Sequence, residues 1–135
     1  MTEQTASGTA DPEEVAETIR ALYRALGDRA AFDATLDPAI TIWESDAPTL
    51  IEGLAGLDEL RDARAERGGA GPRPLWVRPE DLRVQRWDST AVAHFVLRAH
   101  HESAADETFR VTDVLRRGED RWRIVHHHAE RFPAV

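Results

Sequence analysis

The C-terminal part of the chain constrains the fold most strongly, because two alternating stretches are joined there by a single turn. Val111, Val114 and Leu115 stand among polar residues, which is the pattern of a partly buried strand. Residues 117–120, Arg-Gly-Glu-Asp, have the composition of a turn, since glycine reaches positive φ and aspartate can bond to its own backbone. A second alternating stretch follows and contains consecutive histidines at 126–128. We therefore predict a long antiparallel hairpin whose second strand carries these histidines.

The N-terminal half of the chain is predicted to be mainly helical. Residues 11–14, Asp-Pro-Glu-Glu, combine an N-cap, a proline at the first helical position and acidic residues in the first turn. Apolar residues recur at helical spacing as far as Leu26, and Gly27 suits the end of this helix. Pro79 interrupts a later strand, where we expect a bulge or bend. The other predicted elements are a short helix at 28–36, strands at 40–44 and 50–52, a helix at 57–68, and long strands at 75–87 and 91–101.

This order of elements indicates the fold class. Helices that precede and stay separate from a run of antiparallel strands are typical of α+β proteins. Residues 1–10 are small and polar, so we expect a disordered tail there. The remaining residues, 11–135, are enough for a single domain with its own core.

Composition excludes several classes of function. The chain has no cysteine, which excludes a disulfide framework and a thiol nucleophile. All 17 basic residues are arginine, so Schiff-base chemistry on lysine is excluded too. The net charge of -8 disfavours nucleic acid and an anionic membrane as partners. Because we find neither a signal peptide nor an apolar run of about 20 residues, we expect a cytoplasmic protein.

The closing hairpin also carries a resemblance to a known family. Segments 110–114 (Arg-Val-Thr-Asp-Val) and 122–128 (Trp-Arg-Ile-Val-His-His-His), with a short basic turn between them, resemble the last two strands of the SnoaL-like branch of the nuclear transport factor 2-like superfamily. The hub, or association, domain of calcium/calmodulin-dependent kinase II is similar there, and the resemblance covers residues 11–132. It implies a cone: a curved antiparallel sheet wrapped on about three N-terminal helices, with an open mouth. It does not imply one activity, since this fold hosts isomerases, cyclases, dehydratases, epoxide hydrolases and non-catalytic modules.

The three histidines are the first candidates for catalysis, because histidine exchanges protons near neutral pH. Neighbouring residues of a strand face opposite sides, so either His127 faces the cavity or His126 and His128 do. Alternation with Trp122 and Ile124 favours the second arrangement, whereas the resemblance to the hub domain favours His127, which we prefer. Ordinary hydrogen-bonded sheet histidines are the alternative. His126 and His128 could also chelate a metal with His94 or His100 as a third ligand, but no helical His-x-x-x-His or carboxylate-histidine spacing supports such a site, so we expect no metal.

Glu44 and Tyr23 are the other candidates for proton transfer. Glu44 follows Trp43 at the end of a strand, and the resemblance to the hub domain gives it a place at the pocket rim. An apolar cavity would raise its pKa, although a solvated glutamate at the end of a strand is the simpler interpretation. The ketosteroid isomerase branch of the superfamily uses a tyrosine and a protonated acid as an oxyanion hole, and Tyr23 on the first helix could act in this way. The other residues of that branch have no match in this chain, so its reaction is not carried over. We expect Asp113 on the outer face of the sheet, paired with an arginine.

Five further residues are predicted to surround a ligand. Trp43 and Trp76 offer apolar surface with a polar edge. Arg98 and Arg110 lie on strands that flank the expected cavity, and a guanidinium binds a carboxylate or enolate oxygen well. The resemblance aligns Thr112 with an inward arginine of the hub domain, so that anion-binding pattern is not reproduced, and Arg110 is the expected substitute.

Together these residues predict a small cofactor-independent enzyme. It would transfer protons on a small, apolar, oxygenated molecule, as in isomerisation, cyclisation or the addition of water. The alternative is a non-catalytic ligand-binding or oligomerisation module with the same cavity. We also expect a homodimer through the outer sheet face, because Phe95, Leu97, Val111 and Leu115 indicate apolar residues on both faces.

Overall fold

A computed structural model of the protein describes residues 11–68 and 73–133, so the tail expected at 1–10 lies outside the described residues. Three helices are present: α1 (Pro12–Arg24), α2 (Arg29–Asp33) and α3 (Gly53–Glu66). The strands are β1 (Leu36–Trp43), β2 (Ile51–Glu52), β3 (Trp76–Trp87), β4 (Thr90–His100), β5 (Glu107–Arg117) and β6 (Trp122–Phe132).

The strands form one open sheet in the order β2-β1-β6-β5-β4-β3. Neighbouring strands are antiparallel except β1 and β6, which run parallel. The α+β prediction is therefore confirmed, and the sheet is antiparallel except at this one pairing. The chain between these two strands runs through β2, α3, β3, β4 and β5, and a parallel pair needs such a long connection.

Helix α1 forms as its sequence predicts. The Asp11 side chain accepts a hydrogen bond from the Glu13 backbone N at 2.9 Å, which confirms the N-cap. Val15 and Ile19 are fully buried on the face that packs against β3.

No helix in the described part of the chain is both long and apolar enough to cross a membrane.

The end of α2 and the starts of β1 and α3 differ from the prediction. Leu36 does not end the second helix but begins β1, and the strand continues past Pro38 because its pairing with β6 is irregular between Leu36 and Thr41. Helix α3 begins at Gly53, four residues before Leu57. Gly53 has φ +74°, and a Cβ there would lie 3.0 Å from the Pro38 carbonyl oxygen. Only glycine accepts both this φ and this close approach without strain, and it therefore allows β2 to continue directly into α3.

Bulges in two strands set which side chains face the helices. In β3 the register shifts between Glu80 and Arg83, two residues after the predicted interruption, and Asp81 has φ 53°. In β6 the pairs shift between Ile124 and His126, so that Val125 is an extra residue. Such an extra residue reverses the alternation of the strand beyond it.

The inner sheet face forms the core with the helices. Phe95, Val111 and Leu115 are buried in it, and Leu97 packs against the same cluster. These four residues were the reason to expect apolar surface on both faces, so that reason was wrong: alternate positions of β4 and β5 all face inward. The homodimer itself stays a prediction.

Candidate functional site

A cavity of about 430 Å³ lies between the helices and the inner face of the sheet. Its size is within the usual range of small-molecule sites. The wall combines aliphatic and aromatic side chains with a few polar groups. The polar residues are Tyr23, Glu44, His127, Arg29, Arg61, Arg64 and Arg73, and the apolar ones include Leu22, Phe32, Ile40, Ile42, Leu97 and Phe109.

His127 lies in this wall and is bonded to a carboxylate behind it. It pairs with Asp113 across β6 and β5, and 2.6 Å separates His127 Nδ1 from Asp113 Oδ1. Because a carboxylate only accepts hydrogen bonds, Nδ1 carries the proton and donates it to this bond. The other nitrogen, Nε2, lies 3.9 Å from Glu44 Oε1. The side chain of His127 is 16% exposed and that of Glu44 25% exposed, so both groups can be reached from the cavity.

The bulge at Val125 explains why His127 and not its neighbours lines the cavity. Regular alternation from Ile124 would turn His126 and His128 inward. With the extra residue, Ile124 and His127 share the inner face. His126 instead lies 2.8 Å, Nδ1 to Oγ1, from Thr41 of β1, and His128 is exposed.

Asp113 was expected on the outer face, and that expectation was wrong. Its side chain is 0% exposed. It alternates with Val111 and Leu115, which are both buried, so the three side chains share the inner face. This alternation is visible in the sequence and was the signal that could have placed Asp113. Its second oxygen, Oδ2, is buried without a hydrogen-bond partner among residues 11–68 and 73–133.

The pKa of Glu44 is raised above its usual 4.5. Burial is the largest cause, since desolvation penalises the carboxylate. The positive charges of His127 and Arg64 lower the pKa, whereas the negative charges of Asp46 and Asp113 raise it, and the net direction is upward. Such a carboxyl group exchanges a proton closer to neutral pH than an exposed glutamate does.

The pKa of His127 is also raised, above the usual 6.5, although the causes oppose each other. Burial alone lowers it, because desolvation disfavours the imidazolium. The charge of Asp113, its hydrogen bond to Nδ1 and the charge of Glu44 outweigh this effect. The site therefore favours a protonated His127 beside a carboxylate.

Tyr23 completes the polar part of the cavity wall from α1. Its ring is buried and packs edge-on against Phe32 and Phe95, with ring centroids 6.4 Å and 5.9 Å away. Burial and the charges of Asp113 and Glu44 raise the pKa of its hydroxyl well above 10. The hydroxyl therefore keeps its proton and serves as a hydrogen-bond donor at neutral pH.

None of the five residues predicted to surround the ligand lies among those that line the cavity. The side chains of Trp43, Arg110 and Thr112 alternate with inward residues and so face outward. Trp43 is 44% exposed beside His128, and Arg110 lies 3.6 Å from Glu130.

The other two of these residues form a separate cluster at one end of the sheet. The ring of Trp76 stacks on His100 with centroids 4.9 Å apart. Arg98 donates to Glu80 at 2.9 Å and to Asp106 at 3.2 Å, and it is not among the residues that line the cavity. Both residues are therefore engaged outside the cavity.

Four arginines that sequence reasoning did not assign line the cavity. Leu57, Arg61 and Arg64 share one side of α3 at spacings of four and three residues, which was the signal in the sequence. Arg29 comes from α2, and Arg73 from the segment before β3. Within the described ranges, no three His, Asp or Glu side chains are grouped closely enough to hold a metal ion.

Comparison with solved structures places the fold among known ones. A candidate ketosteroid isomerase from Parabacteroides distasonis is 24% identical, with a TM-score of 0.71 over 96% of this chain and 94% of that one. A cystatin-like protein of unknown function from Nostoc punctiforme is 16% identical, with a TM-score of 0.76 over 94% and 95%. The CaMKII hub from S. rosetta is 22% identical, with a TM-score of 0.72 over 92% and 98%. At these identities the likeness concerns the fold.

Sequence comparison identifies the family. No curated protein sequence matches the chain. The family model of the SnoaL-like domain matches residues 15–134, which is nearly the whole chain. That match includes every strand and all the polar residues of the cavity wall. The chain therefore belongs to the family of SnoaL-like domains.

Proposed function

We propose that this protein is a cofactor-independent acid–base enzyme that moves protons on a small, apolar, oxygenated substrate. The observation that carries the proposal is the position of Glu44 and His127, whose Oε1 and Nε2 atoms face each other at 3.9 Å in the wall of one cavity. This separation is too long for a direct hydrogen bond. A substrate atom placed against both groups would be within reach of a base and of an acid.

The two groups suit complementary roles. The Glu44 carboxylate would take a proton from a carbon next to a carbonyl, and the electron pair of the broken C–H bond would move to the carbonyl oxygen. The Tyr23 hydroxyl would donate a hydrogen bond to the oxygen as it becomes negative. His127 would deliver its Nε2 proton to another atom of the substrate, which completes a proton shift. Isomerisation, cyclisation and the addition or loss of water all use such steps.

Asp113 would act through His127 and not on the substrate. Its bond to Nδ1 fixes the orientation of the ring and directs Nε2 into the cavity. Its charge favours the imidazolium. We therefore treat Asp113 as a positioning residue. One of the similar structures is a candidate ketosteroid isomerase, and an isomerase of that kind belongs to the proposed reaction class. The name describes that protein and not this chain.

The test is proton exchange on an enolisable ketone. In deuterated buffer at pH 7, the protein should accelerate deuterium incorporation next to the carbonyl of 2-tetralone or of a β,γ-unsaturated 3-ketosteroid, followed by NMR. The variants Glu44→Gln and His127→Gln should each reduce this rate about 100-fold or more, since they remove the base and the acid. His128→Gln is the matched control, because that histidine is exposed on the opposite face.

A non-catalytic ligand-binding or oligomerisation module is the second candidate. The observation in its favour is that hub domains of CaMKII have the same fold at similar TM-scores. Such a module would bind 2-tetralone without accelerating exchange. It would also lose little affinity in Glu44→Gln and His127→Gln. That combination would overturn the enzyme proposal in favour of a binding function.

A further inference from the structure

The cationic lining of the cavity is unusual for this protein. The chain has a net charge of -8, yet among the described residues four of its 17 arginines line this one cavity, together with a single carboxylate, Glu44. The aspartates that pair with these arginines are not among the lining residues. Arg29, Arg61 and Arg64 are paired with Asp58, Asp33 and Asp46 outside the lining, so the cavity itself presents guanidinium donors to a ligand. Such a surface favours a negatively charged group.

Two of these arginines are held in fixed orientations. Arg61 donates to both oxygens of Asp33, at 2.8 Å and 2.9 Å. Arg64 donates to both oxygens of Asp46, from Nε at 2.9 Å and from Nη2 at 2.8 Å. Their side chains are only 21% and 27% exposed. A guanidinium that is already ordered loses less conformational entropy when it binds a ligand.

Both guanidinium groups keep donors for a further acceptor. The two bonds of Arg64 use Nε and Nη2, and no hydrogen bond joins Nη1 to a residue in 11–68 or 73–133. The bonds of Arg61 use Nη1 and Nη2, and Nε makes none to the same residues. The positive charge of Arg64 also acts on Glu44. The donors and the proposed proton-transfer groups therefore belong to one continuous site.

We propose that the substrate of this cavity carries a carboxylate, which binds Arg61 and Arg64 on α3 while its apolar body fills the part of the cavity lined by Leu22, Phe32 and Ile42. The donors left over, Arg61 Nε and Arg64 Nη1, can each form a charge-assisted hydrogen bond with a carboxylate oxygen. The substrate class is then an amphipathic acid with an apolar ring or chain and a second oxygenated group for proton transfer. This proposal rests on the proposed acid–base function of Glu44 and His127.

The test compares a carboxylic acid with its neutral amide. Isothermal titration at pH 7 with 1-naphthylacetate and 1-naphthylacetamide probes one apolar body with and without the charge. The acid should bind at least about tenfold more tightly to the unaltered protein. Arg64→Gln and Arg61→Gln should lose this preference but still bind the amide, which also verifies that the cavity is folded.

Two variants separate anion binding from the loss of an ion pair. Asp46→Asn breaks the pair of Arg64 but leaves the guanidinium, so the preference for the acid should persist. Arg67→Gln is the matched arginine control, because Arg67 also faces Asp46, at 3.9 Å, but is not among the lining residues. The Arg67→Gln variant should prefer the acid to the amide as strongly as the unaltered protein does.

Equal affinity of the unaltered protein for acid and amide would overturn the carboxylate proposal without any variant. A preference for the acid that survives in both Arg64→Gln and Arg61→Gln would also overturn the carboxylate proposal. These outcomes leave the acid–base proposal intact if exchange on neutral 2-tetralone still depends on His127. If exchange on 2-tetralone does not depend on His127 but the protein still prefers the acid to the amide, the protein binds carboxylates without catalysing this chemistry.

Discussion

Asp113 and His127 lie directly opposite each other on β5 and β6, and His127 Nδ1 donates to Asp113 Oδ1 at 2.6 Å. Asp113 is completely buried, and only one of its oxygens has a partner within residues 11–68 and 73–133. Burying a carboxylate with one bond is costly unless a positive charge lies beside it. Although burial lowers the pKa of His127, the charge of Asp113 and its hydrogen bond raise it above 6.5, so Asp113 favours the imidazolium.

Replacing Asp113 by Asn tests this coupling. Asparagine keeps the shape and an oxygen acceptor but removes the charge, so the pKa of His127 should fall, as burial then dominates. NMR titration of the imidazole C–H signals measures this change. In the exchange assay, the loss of rate at alkaline pH should move to lower pH, a shift that a purely structural defect would not produce.

The control for this variant is Asp120→Asn, which removes an exposed carboxylate from the turn before β6. It should leave the titration of His127 unchanged. An unchanged titration in Asp113→Asn as well would contradict the coupling.

The stability of the protein should decrease as pH rises above about 6.5. The folded protein holds the His127 proton more tightly than the unfolded chain does, because the folded pKa is raised above 6.5. This contribution is fully present below pH 6.5 and is lost as pH rises through the folded pKa. The charged groups that raise the pKa of the ring are Asp113 and Glu44.

Urea unfolding across neutral and alkaline pH measures this effect. In His127→Gln the decrease of unfolding free energy with pH should be smaller, whereas His128→Gln should behave as the unaltered protein. A pH dependence equally steep in His127→Gln would assign the effect to another group.

Replacing Gly53 by Ala should destabilise the fold more than the same change at Gly27. Both glycines have positive φ, which costs a residue with a Cβ about 1 kcal/mol. Only at Gly53 does the Cβ also meet a backbone atom, the Pro38 carbonyl oxygen at 3.0 Å; at Gly27 no described atom lies within 4 Å. Unfolding in urea compares the two variants, and equal losses would mean that the β1–α3 contact adjusts freely.

We still predict that two copies of the protein associate through the outer sheet face, but through residues other than those that the sequence suggested. Val92, Val114 and His126 lie side by side there, and Trp43 is 44% exposed at the same face. Val114→Glu should convert a dimer into a monomer in light scattering, because it places a charge among these side chains. Leu75→Glu, an exposed position before β3, is the control. A monomer at micromolar concentration for the unaltered protein would refute the prediction.

Local sequence patterns determined much of this protein. The cap at Asp11, the α+β class and the closing hairpin follow from residues that are near one another in the chain, because caps, turns and alternation act over a few residues. The expected cavity position of His127 came from resemblance and not from alternation, which favoured its neighbours. The inward position of Asp113 was present in the alternation with Val111 and Leu115, and we misjudged it.

The tertiary structure alone decided how the site is assembled. The extra residue at Val125 sets which histidine faces the cavity, and a bulge depends on the pairing of two strands rather than on either sequence. The approach of Glu44 to His127 depends on the parallel pairing of β1 with β6, which joins distant parts of the chain. Likewise, Arg61 and Arg64 reach the cavity only because α3 packs against β1. These relationships are long-range, and local propensity carries no information about them.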